Sequence, residues 1–438
     1  MEILNLFFTI SILILLNFFS FFLILKKKNI NLKINLIDTL GSNYIILLNC
    51  ILFFSFFNPD KNFLFIILML ISFFSLIFFF RQKIKINNKI IFIFFILLII
   101  LISIDIASNF DFSWDTKKYY LHKATAFYQN FFVNDLFKKT EYPHFPTYLW
   151  AFFWKNSFLN YEYIGRLTYG YTFVLSIFYF TNSLKLSDSY KILTAIIIFL
   201  TIYKQELFDG RPDILMFSFF LFIARNFYEL FHNKNQSFHN IFIIFLTLNL
   251  ILWTKSEGVA YVIIFAITIF FFLKTNFNKK IIFLLGVVFL IFIKLLFYHY
   301  YDLSLNPNEE TFKLNIFEKF NLLFLLERTL QIFSWYAIYF IANPIIIITS
   351  GFFIIILFNF KAILNNFKYL YFFFILKFMV IYGTFLITAY PMPFHLKYSL
   401  DRIILHSSGL WLIIAVYLAN NLYKNKKLKF KKIKLNFL

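Results

Sequence analysis

Long apolar runs broken by short polar connectors set the pattern of this chain. The runs lie at 4–25, 43–57, 63–80, 90–107, 163–183, 190–204, 213–231, 240–253, 259–273, 281–299, 344–360, 368–389 and 404–422. Each approaches or reaches the roughly 17–25 apolar residues that a membrane-crossing helix needs. The pattern therefore predicts an all-α, polytopic helical membrane protein with about thirteen transmembrane helices. Two further stretches read as re-entrant or interfacial. One is 145–159, which opens around Pro146 and is rich in aromatic residues; the other is 317–342, which mixes apolar residues with Glu318, Lys319, Glu327 and Arg328.

The connectors carry a second pattern. Basic residues gather at 26–28, in RQKIKINNK at 81–89, at 274–280 and in the tail KNKKLKFKKIK. Cytoplasmic connectors are enriched in Lys and Arg, and with 145–159 not crossing, all four basic segments fall on one side. The same alternation assigns 108–145, 205–212, 254–258, 300–343 and 390–403 to the opposite, non-cytoplasmic face. Most of the unusual polar residues belong to these five connectors. Residues 1–25 lack a basic start and a small-residue cleavage site, so they read as a retained span and not a signal peptide.

Composition narrows the class further. Hydrophobic residues make up 61% of the 438 residues and aromatic residues 24%, more apolar surface than a soluble domain of this length can hide. The net charge of +21 would suit nucleic acid, but its concentration in connectors and tail fits anionic lipid instead. One cysteine, Cys50, excludes an intrachain disulfide framework and a cysteine metal cluster. No linker or internal repeat interrupts the pattern, so 1–438 reads as a single integral membrane domain ending in a basic cytoplasmic tail at 423–438.

Candidate chemistry concentrates in 110–146, the longest polar interruption. It holds Asp111, Asp115, Lys117, Lys118, His122, Lys123, Asp135 and Glu141. Residues 114–132 predict an amphipathic helix lying at the interface, with Tyr119, Tyr120, Ala124 and Phe127 on its apolar side and Lys117, His122 and Lys123 near water. Asp115 just precedes this helix. It is either the helix N-cap or a carboxylate able to take a proton from a hydroxyl nucleophile.

Arg211 in DGRPD and Arg402 after Asp401 open two later spans. Each is either a local ion pair or snorkelling anchor or a fork for phosphate oxygens. Asp213 follows Pro212 at a helix start, where capping competes with a functional role. Lys255 and Glu257 flank Ser256 at a span boundary and are functional candidates as charges near membrane depth. His144 follows Tyr142 and Pro143 and could meet a sugar or phosphate; a hydrogen-bonded loop histidine is the plainer reading. His122, His144, His299, His395 and His406 are scattered singly, so the spacing supports no metal site, and it leaves the need for a divalent cation open. No phosphate-binding or dinucleotide fingerprint is present, and no cofactor is expected.

Several motifs in order resemble the C superfamily of membrane glycosyltransferases (GT-C). They are SWDTKKYYLHKA, EYPHFPTYLWAFFW, GRPDILM at 210–216, WTKSEG at 253–258 and SLDRIILHSSGLWL at 399–412. The likeness covers 90–422 as a GT-C-like core with a large exterior first core loop, leaving 1–89 as additional N-terminal spans. It implies an inverting transfer of a sugar from a polyprenyl-phosphate donor to a cell-surface glycan, lipid or protein, outside the bacterial inner membrane. The implied general base is Asp115. The family often carries two adjacent acids there, whereas Thr116 follows Asp115 here, which leaves Asp111 as a second candidate. Arg211, Lys255 and Arg402 would bind the donor phosphate. His122, Tyr142, His144, Asp213, Glu257 and His395 are possible substrate contacts. A polysaccharide polymerase or ligase shares this chemistry. From other classes, a transporter or flippase of lipid-linked saccharides and a noncatalytic scaffold are the alternatives.

Overall fold

A computed structural model describes residues 2–20, 33–81, 85–109, 111–131, 143–203, 208–232, 238–301, 303, 321–351, 360–388 and 391–435. The described chain is helical throughout, apart from a three-residue parallel pair in which Lys33–Asn35 meets Lys85–Asn87. Every one of the thirteen apolar runs carries a helix. Among the described residues, seven helices are long and apolar enough to cross a membrane: Leu36–Ser55, Lys61–Arg81, Lys89–Ser108, Asp213–Phe231, Phe277–Tyr300, Lys368–Leu386 and Met392–Lys424. An eighth is added if the bent pair Leu322–Ala342 and Pro344–Ser350 counts as one span. These apolar helices mark an integral membrane protein. The helices Lys61–Arg81 and Phe277–Tyr300 turn large apolar side chains outward, including Phe74, Phe80, Ile282 and Phe289, as lipid-facing surfaces do.

The bend of 66° between Leu322–Ala342 and Pro344–Ser350 has a local cause. Pro344 has no N–H to continue the ladder, and Asn343 restarts the helix by accepting from the backbone N–H groups of Ile345 and Ile346. The stretch expected to be re-entrant or interfacial near 317–342 is thus one regular helix from Leu322, followed by a sharp break.

Two helices form the interior. All 19 residues of Tyr163–Thr181 are buried, and Asp213–Phe231 is buried except at Arg225, Glu229 and Phe231. A helix that is apolar on every side belongs in the middle of a bundle. Asp213–Phe231 packs against Tyr163–Thr181, Phe238–Thr254 and Met392–Ser408. Phe145–Lys155 packs on Tyr163–Thr181 and on Leu121–Tyr128. At 11 residues it is about 16 Å long, too short to cross a bilayer core of about 30 Å. Its first nine residues are all buried, so it is an internal element and not a surface one.

Candidate active site

The site is assembled where 109–116 meets the starts of Asp213–Phe231, Gly258–Phe272 and Met392–Ser408. Arg166, 1% exposed, ties two of these loops to the core. It pairs with Glu162 at 2.9 Å and donates to the carbonyls of Asn109 and Phe208 at 3.2 and 3.3 Å. Its guanidinium also lies 4.7 Å from the Phe112 ring. Beneath it, Tyr120, Ala124 and Trp150 form a small buried cluster with Phe112 and Trp154 against them.

Asp115 does not cap a helix. Its backbone is already helical, it makes no side-chain cap hydrogen bond, and the chain continues directly into a π-helical turn at Thr116–Tyr120. The turn adds one residue to the local repeat, which re-aims the side chains around it; such bulges recur at functional sites. Asp115 Oδ2 instead accepts from Arg402 Nη1 at 3.3 Å, across 287 positions of sequence. The neighbouring Thr116 hydroxyl donates to Asp209 Oδ1 at 3.4 Å, and Asp209 holds Arg211 at 3.0 Å. Gly210 makes this approach feasible. Its φ is +97°, and a Cβ there would stand 2.4 Å from the Trp150 ring and 2.8 Å from Thr116 Cγ2.

Asp213 is the hub. It is 2% exposed and begins its helix without a side-chain cap bond. Its Oδ1 accepts from Lys255 Nζ at 2.8 Å and from His406 Nε2 at 2.7 Å. Arg402 Nη1 stands 4.0 Å from its Oδ2, so Arg402 bridges Asp115 and Asp213. Asp213 Oδ2 and His406 Nδ1 have no hydrogen-bond partner among the described residues. Buried orphans of this kind are uncommon in folded proteins and call for an explanation.

A second tier of charge surrounds the hub. Burial is the largest single influence on the Glu257 carboxyl and opposes its ionisation, but Lys255, His406 and a backbone hydrogen bond together outweigh it, so its pKa falls below the usual value. Glu257 and Lys377 line one small cavity of about 50 Å³ with Tyr261 and Ile403. Lys377 donates to the Ile403 carbonyl at 2.9 Å and to the Ser407 hydroxyl. Lys294, within electrostatic reach of Glu257, donates to the Leu252 carbonyl at 2.7 Å. Lys255, Lys294, Lys377 and Arg402 thus gather around three carboxyl groups, Asp115, Asp213 and Glu257.

The other expected site residues are distributed unevenly. Arg211 adopts the local ion pair with Asp209, whose carboxylate also accepts from Thr116 next to Asp115. His395 Nδ1 shares a hydrogen bond of 2.8 Å with Thr388 at the start of the helix that carries Arg402. Asp111 is exposed, and its N–H is held by Asn109 Oδ1 at 3.0 Å. His122 is exposed on the short helix Leu121–Tyr128, whereas Lys123, expected near water, is buried there. His144 is buried, bonded to Ser55 Oγ at 2.9 Å and stacked on Phe297 at 5.0 Å. Burial, then Lys123 and Lys294, push its pKa down to about 3. Tyr142, Asp135 and Glu141 lie outside the described residues.

Two residues of this cluster were not among the expected site residues. His406 follows Arg402 by four residues, the spacing that puts two side chains on one helix face, and that signal was available. For Arg166 the sequence offers only Glu162 four residues before it; the Asn109 and Phe208 carbonyls it also holds come from loops distant in sequence. No protein-family model matches the chain, and neither the curated proteins nor the solved structures provide a match. Among the described residues no group of His, Cys, Asp and Glu is arranged to hold a metal ion.

Proposed function

We propose that the protein is a membrane glycosyltransferase that moves a sugar from a polyprenyl-phosphate donor to a glycan, lipid or protein acceptor at the cell surface, with inversion. On this reading it has a GT-C-like core over 90–422, crosses the bacterial inner membrane about thirteen times, and turns its site to the non-cytoplasmic side. The observation that carries the proposal is the chain Asp115, Arg402, Asp213, Lys255. Four residues from four stretches far apart in sequence, each singled out for its chemistry, meet at one end of the bundle.

The chemistry follows from the arrangement. An acceptor hydroxyl attacks the anomeric carbon, the new glycosidic bond forms as the bond to the phosphate oxygen breaks, and the hydroxyl proton passes to a carboxylate. Asp115 is the base. Its side chain is 28% exposed, and its Oδ1 lies outside the pair that Oδ2 makes with Arg402. The leaving phosphate gains negative charge, which fixed cations stabilise. Arg402 supplies a fork suited to phosphate oxygens and Lys255 a compact charge. An apolar cavity of about 480 Å³, lined by Phe333, Phe374, Phe378 and Tyr382 among others, adjoins the helix that bears Lys377 and suits an isoprenoid chain entering from the bilayer.

The test is sugar transfer by protein in nanodiscs with a panel of polyprenyl-phosphate sugars, comparing wild type with Asp115→Asn. Removing a general base costs about 10²–10⁴-fold in rate, so Asp115→Asn should fall by that factor while its melting midpoint stays within a degree or two. Full activity in the variant would dismiss Asp115 as base. Absence of transfer from every donor, together with movement of a lipid-linked sugar across vesicles, would replace the enzyme by a flippase.

A further inference from the structure

Trp114 directly precedes Asp115, and the local fold holds its ring in place while leaving it open. Ser113 caps the turn: its Oγ accepts from the Thr116 N–H at 3.3 Å and shares a hydrogen bond of 2.9 Å with the Thr116 hydroxyl. Trp114 is then the first helical residue and Asp115 the second, their Cα atoms about 3.8 Å apart. The π-helical turn at Thr116–Tyr120 has a consequence for the indole. In an α-helix a residue five positions on points about 140° away. The widened turn instead brings both Lys118 and Tyr119 to Trp114. The Tyr119 ring meets it edge-on with centroids 5.7 Å apart, and Lys118 Nζ stands 4.3 Å from its ring centroid. Trp114 nevertheless remains 65% exposed, so much of the oriented ring is open.

The surroundings of that ring decide what it meets. Asp111, Lys117 and Lys118 lie within four residues of it and are all exposed, and the Asp115 side chain is 28% exposed. Charges of both signs are costly against hydrocarbon, so an acyl chain finds charged groups where it needs apolar ones. An extended peptide draws its affinity from main-chain hydrogen bonds at a sheet edge, and this helical turn has no edge. A pyranose ring needs neither. Its C–H face lies against the negative face of an indole, and its rim hydroxyls donate to a carboxylate and accept from an ammonium. We propose that Trp114 is the stacking platform for a sugar ring of a glycan acceptor, beside the carboxylate that takes the hydroxyl proton. The site so defined rests on the sugar-transfer reading and narrows its acceptor to a carbohydrate.

Saturation-transfer NMR on protein in nanodiscs, without donor, reads binding of the neutral probes maltose, lactose, mannobiose and N,N′-diacetylchitobiose. We expect transfer to at least one probe in wild type, a loss of about tenfold in Trp114→Ala and retention in Trp114→Tyr, which keeps an aromatic face, all at an unchanged melting midpoint. With a donor that supports sugar transfer, Trp114→Ala should raise the acceptor KM about tenfold and leave kcat within about twofold. Binding of no probe by wild type overturns the proposal, as does equal binding by wild type and Trp114→Ala. Fluorescence quenching by brominated acyl chains that disappears in Trp114→Ala would put the indole in the bilayer and equally overturn it. Sugar transfer to a peptide or lipid with an acceptor KM unchanged in Trp114→Ala would overturn it and leave the transferase standing. Probe binding that depends on Trp114, with no transfer from any donor, would remove the transferase and keep the carbohydrate site.

Discussion

Replacing Lys255 by Met and Asp213 by Asn, singly and together, measures whether the hub is a dry, coupled ion pair. The two groups are 2.8 Å apart, with side chains 8% and 2% exposed. Removing one partner of a buried pair costs roughly 3–5 kcal/mol because the other charge is stranded. In Lys255→Met, Asp213 keeps His406 at 2.7 Å and Arg402 at 4.0 Å, which puts the cost at the low end, about 3 kcal/mol. In Asp213→Asn, Lys255 retains Glu257 nearby, and the cost is again about 3 kcal/mol. The double variant strands neither of these two charges and should lose about 4 kcal/mol, leaving a coupling of about 2 kcal/mol. Reversible unfolding in mixed micelles, titrated with a denaturing detergent and followed by the buried Trp150 and Trp253, gives the four free energies. Coupling below about 0.5 kcal/mol is the additive limit for independent sites. That result would mean water reaches the hub, and the argument from stranded charge would fail.

Gly210→Ala should be more damaging than a loop substitution normally is. It adds a Cβ at φ +97° within 2.4 Å of Trp150, and the loss should reach about 1–3 kcal/mol from backbone strain alone, with Asp209 drawn away from Thr116; unchanged unfolding free energy would contradict it. His144 makes stability depend on pH. Its pKa falls from 6.5 to about 3 on folding, so below pH 6.5 the unfolded chain takes up the proton first. The stability is complete above pH 6.5, declines as pH falls toward 3, and is down by about 2 kcal/mol at pH 5. His144→Phe should flatten that slope between pH 7 and 5, and a slope identical to wild type would assign it to other groups. Ser55, which loses its partner in that variant, still donates to the Leu52 carbonyl at 2.6 Å.

Apolar runs predicted where helices fall, but less well what each helix does. The run at 213–231 is a helix over those same residues, and 368–389 is one over Lys368–Leu386. Hydropathy responds to apolar side chains whether lipid or protein covers them. Tyr163–Thr181 therefore shows the gap: with Arg166, Thr168, Tyr169, Thr172 and Ser176 it falls outside the seven helices long and apolar enough to cross a membrane, yet it is buried along its whole length. Several of its hydroxyls are satisfied internally, Thr172 by the Thr168 carbonyl at 2.6 Å and Tyr169 by Pro146 O at 2.8 Å. Polarity that would be costly against lipid is tolerated here because protein supplies the partners.

For the site, residue chemistry was legible and pairing was not. Asp115, Asp213, Lys255 and Arg402 stood out as charges at the edges of apolar runs, where an unsatisfied group is expensive and seldom kept without a role. Local alternatives also looked sound from sequence, since Asp115 and Asp213 both occupy helix starts and Arg402 follows Asp401. The fold decides among them by bringing distant connectors together: the backbone N–H of Arg402 takes the Asp401 carboxylate at 2.7 Å, which leaves the guanidinium to reach Asp115. Spacing within one helix can foresee Arg402 with His406, but not a contact made across most of the chain. Asp213–Phe231 gives this its simplest form. Asp213 opens this helix and Arg225, paired with Asp38 at 3.4 Å, lies well toward its other end, and the mostly apolar stretch between them keeps the two polar clusters apart, so a single buried helix serves both.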